Sequence, residues 1–391
     1  MPLKRFLERF SAHQRETKAS RTSRFVAMQT QGRAVWTPRD YAALVKEGYM
    51  KNAVAFRAVR MICEAASGLR LVVKEDGSEV DEHPLLALLE RPAPGENTAS
   101  FLEAIFGYLI LSGNAYVEAV ALEDDVRELH VLRPDRVKVV PGAKGWVEAY
   151  DYTVGGRTMR IPAQGNGQVV PLLHMKQFHP LHDYYGFAAL EAAQGPLDIH
   201  NAAGQWSKAL LDNAACPSGA LVYGGGDAVH LSDEQFQRLK EELADSYQGA
   251  RNAGRPLLLE GGLDWKPMAL SPRDMDFIAA KNQAAREVAL ALGVPPLLLG
   301  LPGDNTYANY QEANRAFWRQ TVLPLARRVH TALAQWLSPS WERPVTLEAD
   351  LDAVEALSAE RSALWQRVTQ ADFLSSDEKR EAVGYGPREE V

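Results

Sequence analysis

The sequence predicts an α+β fold, on three observations. Apolar residues recur at helical spacing in several long stretches, most clearly between residues 271 and 337. Residues 115 to 161 instead hold short alternating runs of the kind that form strands, and DD, PD, PGAKG and GG sequences punctuate them as turns.

Taken in order, residues 11 to 35 are polar and basic without a sustained period, which predicts a flexible arm. Residues 53 to 67 (AVAFRAVRMICEAAS) have a helical pattern, and Leu69 to Val80 reads as a hairpin around Asp76-Gly77. A helix is expected from Ser100 to Leu111, after the loop RPAPGEN. Strands are expected at Ala115 to Leu122, Arg127 to Leu132, Val137 to Val140, Val147 to Val154 and Thr158 to Ile161, which completes an α+β domain of about 180 residues. From Phe187 to Asn213 the period is helical again, through Leu190, Ile199, Trp206, Leu210 and Leu211.

Residues 219 to 270 read as a small module between two helices. It has a strand at Ala220 to Tyr223, a Gly224-Gly225-Gly226 turn, a helix opened by a Ser232/Gln235 capping box, and a strand at Pro256 to Leu259. The next helix starts at Ser271-Pro272-Arg273-Asp274, a capping hydroxyl before a first-turn proline, and stops at Gly293 and Pro295-Pro296. The loop Leu297 to Thr306 (LLLGLPGDNT) must turn the chain. Helical spacing resumes at Tyr307 and runs through Phe317, Leu325 and Leu333 to Trp336. Pro324 lies within it, and a proline there lacks a donor and crowds the carbonyl four residues back, so a kink is expected near Gln320 to Pro324.

Composition narrows the function. At 391 residues the chain holds about two to three domains, with 46% hydrophobic and 24% charged residues, ordinary for a globular protein. Cys63 and Cys216 are too few for a disulfide framework, so a reducing compartment is expected. The apolar run Val288 to Leu301 is shorter than a membrane span of about 20 residues and is broken by Gly293, Pro295 and Pro296. The start MPLKRFLERF lacks an apolar signal core, so neither secretion nor a membrane anchor is expected. A net charge of −7 argues against a protein that grips nucleic acid tightly, since tight binders usually carry a basic surface, and acidity is common in soluble proteins.

Few residues suggest reaction chemistry. Gly224-Gly225-Gly226 and Gly261-Gly262 precede no Lys-Ser/Thr pair and open no GxGxxG turn, so they read as turns and no ATPase motor is expected. His174, His179 and His182, with Asp183, are the best metal candidates, but the segment lacks HxxxH pairing and contains Pro180. A loop leading into a helix, with exposed or hydrogen-bonded imidazoles, is the plainer reading, and no metal or cofactor is expected. No Ser or Cys carries a nucleophile motif, and Asp124-Asp125 and Glu241-Glu242 read as solvated charges. Trp318, between Arg315 and Arg319, could stack on nucleic acid or pack in a core or subunit interface. Lys281 and Arg286 could face a channel or pair with acids on an adjacent helix.

Four segments together resemble a known family. They are Leu111-Ser112-Gly113-Asn114-Ala115-Tyr116-Val117 followed by Leu132-Arg133-Pro134-Asp135; His174 to Gly186 leading into a helix; Val294-Pro295-Pro296-Leu297-Leu298-Leu299-Gly300, a polar loop and an aromatic-rich helix reaching Thr321-Val322-Leu323-Pro324; and Leu374 to Arg380 with Gly384 and Pro387. In this order they resemble the portal proteins of siphophage-like tailed viruses, including those of gene transfer agents. The family's usual TxxE is replaced here by Ser375-Ser376-Asp377-Glu378.

The resemblance implies a non-enzymatic subunit of a ring, a dodecamer in the family, at one capsid vertex of a virion, assembled in the bacterial cytoplasm. Double-stranded DNA would pass through it in packaging and ejection. Its partners would be further copies of itself, the terminase large subunit, the major capsid protein and a head-tail adaptor. The implied parts are an arm (1–35), a wing (36–186), stem helices (187–218 and 271–294) around a clip (219–270), a tunnel loop (295–307), a long kinked wing helix (308–344) and a crown-like end (345–391). Pro302, Gly303, Asp304, Asn305, Thr306 and Tyr307 would line the narrowest point, where each Asp304 joins a circle of charges; Lys281 and Arg286 would face the channel and Pro324 would set the kink. Another ring-forming adaptor or scaffold, or a metal-dependent hydrolase using His174, His179 and His182, are the alternatives.

Overall fold

The structure is a computed structural model that describes residues 36–122, 125–164, 169–212, 219–223, 263–267, 276–303, 306–341 and 343–385, with isolated positions between 232 and 241. Tyr41–Leu44 (α1) runs into a π-helical turn at Val45–Tyr49. In α2 (Ala53–Ser67), the Asn52 side chain accepts the N–H groups of Val54 and Ala55 at 3.1 Å each, satisfying donors the helix itself leaves open. Ala55, Ala58, Val59, Ile62 and Ala66 form its buried face, at the spacing of an amphipathic helix.

The hairpin β1 (Leu71–Glu75) and β2 (Ser78–Val80) turns at Asp76-Gly77, both with positive φ. After α3 (Pro84–Glu90), α4 spans Thr98–Ser112. It starts two residues before the expected Ser100 because Asn97 is the cap: Asn97 Oδ1 accepts the Ser100 N–H at 2.9 Å, and Ser100 Oγ accepts the Asn97 N–H at 3.2 Å. Phe101, Leu102, Ile105, Phe106, Leu109 and Ile110 are all buried, so α4 is covered on nearly every side and forms the centre of the main core. Each such side chain contributes about 1.5–3 kcal/mol by leaving water.

Strands β3 (Asn114–Leu122), β4 (Asp125–Leu132), β5 (Val137–Pro141), β6 (Val147–Val154), β7 (Arg157–Pro162) and β8 (Leu172–Lys176) form two antiparallel sheets, ordered β4-β3-β8 and β5-β6-β7. A second, smaller core joins them through Tyr116, Leu132, Val137, Val139, Tyr150, Ile161 and Leu172. The His174 segment, read from sequence as a loop, is thus partly the strand β8, with Tyr116 directly opposite His174. Its short apolar run, between two stretches of turn residues, did not show a period long enough to be read as a strand.

The helix expected from Phe187 to Asn213 is broken into α5 (Ala189–Ala192) and α6 (Gln194–Asp212). Pro196 explains the break, since it has no N–H to offer the carbonyl of Ala192. Within the 219 to 270 module, β9 (Gly219–Tyr223) pairs antiparallel with β10 (Leu263–Pro267), from Leu263 opposite Tyr223 to Pro267 opposite Gly219. The strand expected at Pro256 to Leu259 and the cap at Ser271-Pro272 lie outside the described residues. Glu234, Gln237, Arg238 and Glu241 are helical.

The C-terminal half adds α7 (Phe277–Ala291), α8 (Tyr307–Phe317), a π-helical stretch at Trp318–Val322 and α9 (Leu323–Leu337). The segment from residue 345, expected as a crown-like end, begins with β11 (Val345–Ala349), which pairs with β1 to give the sheet order β11-β1-β2. Val345 and Leu347 are buried while Thr346 and Glu348 are exposed, a period of two that fixes a strand. Only after it come α10 (Ser358–Thr369) and α11 (Ser376–Ala382), the latter opened by a capping box between Ser375 and Glu378. Mixed helices and separate antiparallel sheets make the fold α+β.

Candidate functional site

The site is built where α7 ends, the chain turns, and α8 begins. Helix α7 is seated by Ala284, Ala285, Val288 and Ala289, which are buried, and the Phe277 ring stacks on Trp206 of α6 at 4.3 Å between centroids and 18° between planes. Gly293 adopts φ 72°, and Thr321 Oγ1 donates to its carbonyl at 2.5 Å. A Cβ at Gly293 would stand 2.9 Å from that hydroxyl, so both space and φ require glycine there.

The next residues make one 3-10 turn, Pro296–Leu299, whose Leu298 and Leu299 pack against the main core. Gly300 at φ 71° then releases the chain outward. Pro302 and Gly303 are exposed, and the Arg286 guanidinium donates to the Pro302 carbonyl. A Cβ on Gly303 would lie 3.2 Å from Arg286 Nη2. On the far side Thr306 caps α8, its Oγ1 accepting the Asn309 N–H at 3.3 Å, and Tyr307 is 78% exposed with its hydroxyl bonded to Gln311 Nε2 at 3.1 Å. Asp304 and Asn305 lie outside the described residues. The described ends of the loop are therefore anchored by a cation on α7 and by a helix cap.

Of the two cations expected on this helix to face a channel or pair with acids, Arg286 meets no acid among the described residues and holds the loop backbone. No sequence spacing could show that, because its partner is a carbonyl. Lys281 is partly exposed and makes no ion pair among the described residues. It lies close enough to His200 that burial first, and the Lys281 ammonium second, hold that imidazole below its usual pKa.

Pro324 sits in the first turn of α9, immediately after the π-helical stretch. In that stretch each N–H bonds one residue further back than in an α-helix, beside the position where Pro324 lacks a donor and its ring crowds the preceding turn. Arg315 pairs with Glu312 at 2.9 Å and reaches Glu360 at 3.6 Å, while Arg319 meets Glu360 at 3.3 Å. Trp318 packs partly buried against the main core, so packing accounts for this cluster.

The three histidines do not converge. His174 is half-buried, stacked on Tyr116 at 4.3 Å, and donates from Nε2 to Asn114 Oδ1 at 3.1 Å. Burial, then Lys176, lowers its pKa to about 3. His179 Nδ1 accepts the Leu181 N–H at 3.1 Å, and His182 Nδ1 accepts the Tyr184 N–H at 3.1 Å, so both organise a turn. Among the described residues no three His, Cys, Asp or Glu side chains are grouped to hold a metal ion.

Two of the four motif segments meet at Asn114. Its Oδ1 also accepts the Gly186 N–H at 2.8 Å, its Nδ2 donates to Ser112 O at 2.8 Å, and Gln177 N–H donates to Gly113 O at 2.7 Å. The sequence marked these residues as a motif without showing that they join one another.

The sequence matches the family described as "Phage portal protein" over residues 53–384. It is 38% identical to a protein of Rickettsia bellii over 340 residues, 86% of this chain and 88% of that one. A chain in the neck of an empty gene transfer agent particle, computed with C6 symmetry, is 54% identical, with a TM-score of 0.72 over 91% of this chain and 96% of that chain. The neck of a native particle, computed with C12 symmetry, holds a chain 53% identical, with a TM-score of 0.69 and the same coverage.

Proposed function

The chain belongs to the phage portal protein family, and we propose that it acts as one subunit of a ring at a single capsid vertex, through which double-stranded DNA passes during packaging and ejection. The observation that carries this reading is the 54% identity, over 91% of the chain, to a protein in the neck of a gene transfer agent particle. Necks of such particles computed with C6 and C12 symmetry favour a closed rotational assembly, and a dodecamer fits the second.

In this reading the loop 301–307 faces the duplex. Its exposed Pro302 and Gly303, the exposed Tyr307 and the sequence Asp304-Asn305 offer a polar edge with no cation of its own, while Arg286 spends its charge on the loop backbone. Such an edge slides along phosphates where a ring of free cations would hold them. The module at 219–270 docks a terminase large subunit and later a head-tail adaptor, and the capsid protein surrounds the wing. The subunit works as a conduit and gate; a separate motor supplies the work.

Native mass spectrometry with negative-stain imaging tests the assembly. A closed ring with a central hole wide enough for duplex DNA is expected, and a compact dimer carrying stoichiometric metal would sink the reading in favour of a hydrolase. A ring whose hole is too narrow for a duplex would favour an adaptor. Asp304→Lys tests the loop: assembly persists and DNA-filled particles fall, whereas normal yields of filled particles would remove the loop from the mechanism.

A further inference from the structure

We infer that the apolar groove between the end of α7 and the Gln177-Phe178 segment is one half of the contact between neighbouring subunits, and that a second copy of this chain fills it. The inference rests on the ring reading above and says which surface closes the ring. The groove is about 470 Å³ and its lining includes Leu109, Ile110, Phe187 and Leu325. Two large side chains stand out of it: Phe178 is 80% exposed and Leu290 is 78% exposed. Leu181, three residues beyond Phe178, is 90% exposed.

These residues project from backbone that is held in place. The Gln177 N–H donates to Gly113 O at 2.7 Å, and Arg328 Nη1 donates to Gln177 Oε1 at 2.7 Å while its other nitrogen bonds the Lys176 carbonyl. Leu290 lies in the last turn of α7, a helix whose opposite face is buried. A pre-positioned aromatic and aliphatic pair beside a concave apolar floor is the arrangement of a contact hot spot, because little conformational freedom remains to be lost on binding. A soluble monomer would leave this surface in water at a cost.

The occupant follows from closure. A rotational ring needs a heterologous contact, in which one surface of each subunit receives a different surface of the next, and a groove suits the receiving role. The related neck chains, more than half identical to this one, sit in particles computed with C6 and C12 symmetry.

The experiment places a photo-crosslinking side chain, Phe178→p-benzoylphenylalanine, in the full chain and compares Leu290→Glu with Leu290→Met. Irradiated assemblies should give an adduct of two copies of this chain. Leu290→Glu, with an unchanged circular dichroism spectrum, should weaken assembly by about a hundredfold or more, since an unpaired carboxylate would be buried in an apolar contact, while Leu290→Met keeps the ring. An intact wild-type ring with no adduct, with an adduct inside one chain such as to its own residues 1–35, or with an adduct to a different protein overturns the inference and leaves the ring reading standing. Absence of a wild-type ring in purified protein and in producing cells, together with absence of the adduct, overturns both.

Discussion

Asn114 Oδ1 accepts the backbone N–H of Gly186 at 2.8 Å, joining the start of β3 to the entry of the helical half across 72 residues of chain. The same oxygen takes the His174 Nε2–H, and the approach is so close that a Cβ on Gly186 would fall 2.1 Å from Gly113 O. Side-chain polarity and glycine packing thus fix one junction, and both come from segments that the sequence sets 60 or more residues apart.

Asn114→Ala should destabilise the protein by about 1–3 kcal/mol, because it strands the buried Gly186 N–H and takes the acceptor from the half-buried His174 Nε2–H. Denaturant unfolding followed by circular dichroism checks this, with the midpoint shifting and the slope unchanged. A loss below about 0.5 kcal/mol would mean the junction is held by packing alone.

Acid should weaken the fold through His330. Its ring is 1% exposed, neither nitrogen has a hydrogen-bond partner among the described residues, and burial lowers its pKa to about 4. In the unfolded chain the imidazole titrates near its ordinary value of about 6.5, so stability is fully present above that pH and drains as pH falls toward 4. The loss at the acid end is about 3 kcal/mol from this group, and His174 adds in the same direction. Unfolding free energies measured from pH 7 to 4 should fall less steeply in His330→Leu than in the parent; parallel curves would remove His330 from the acid response.

Arg286→Gln should loosen the loop without unfolding the chain. The guanidinium is the restraint on the Pro302 carbonyl, and a shorter neutral side chain cannot reproduce it. Hydrogen exchange at the amides of Leu301 and Gly303 is expected to rise several-fold, while the global melting temperature moves by no more than about 3 °C. Unchanged exchange would show that Thr306 and the core-packed Leu298 and Leu299 hold the loop alone.

The fold was legible where one period ran unbroken. Residues 53 to 67 read as a helix because one face is apolar throughout, and Asp76-Gly77 marked its hairpin by the φ it demands. Strand β8 was missed because its apolar run leads into a loop of turn residues without a strand-like pattern of its own, and β11 because its partner β1 lies far earlier in the chain, with Val345 opposite Glu75. The loop site was legible as a polar break between two helices. Its fastenings were not: Arg286 to Pro302 and Thr321 to Gly293 both end on backbone carbonyls, which every residue has. The same holds for the exposed Phe178 and Leu290, since sequence shows that a residue is apolar and only structure shows that the other described residues leave it exposed.

Pro324→Ala separates two causes of the π-helical stretch between α8 and α9. If the missing donor imposes the π-helical stretch at Trp318–Val322, restoring an N–H should let that stretch relax toward α-helical bonding. The relaxation would rotate α8 relative to α9, carry Thr321 away from Gly293, and shift the loop that Gly293 leads into. Ring size and DNA retention should then change together, read by native mass spectrometry and by the yield of DNA-filled particles. If the variant assembles to the same mass and packages normally, the stretch is held by its packing: Phe317 and Val322 are buried on the main core at either end of it, and the Thr321 hydroxyl fixes the register between them. Thr321→Val in the same background then separates the hydroxyl from the packing, since it removes a restraint of about 1 kcal/mol on the register and leaves Phe317 and Val322 buried.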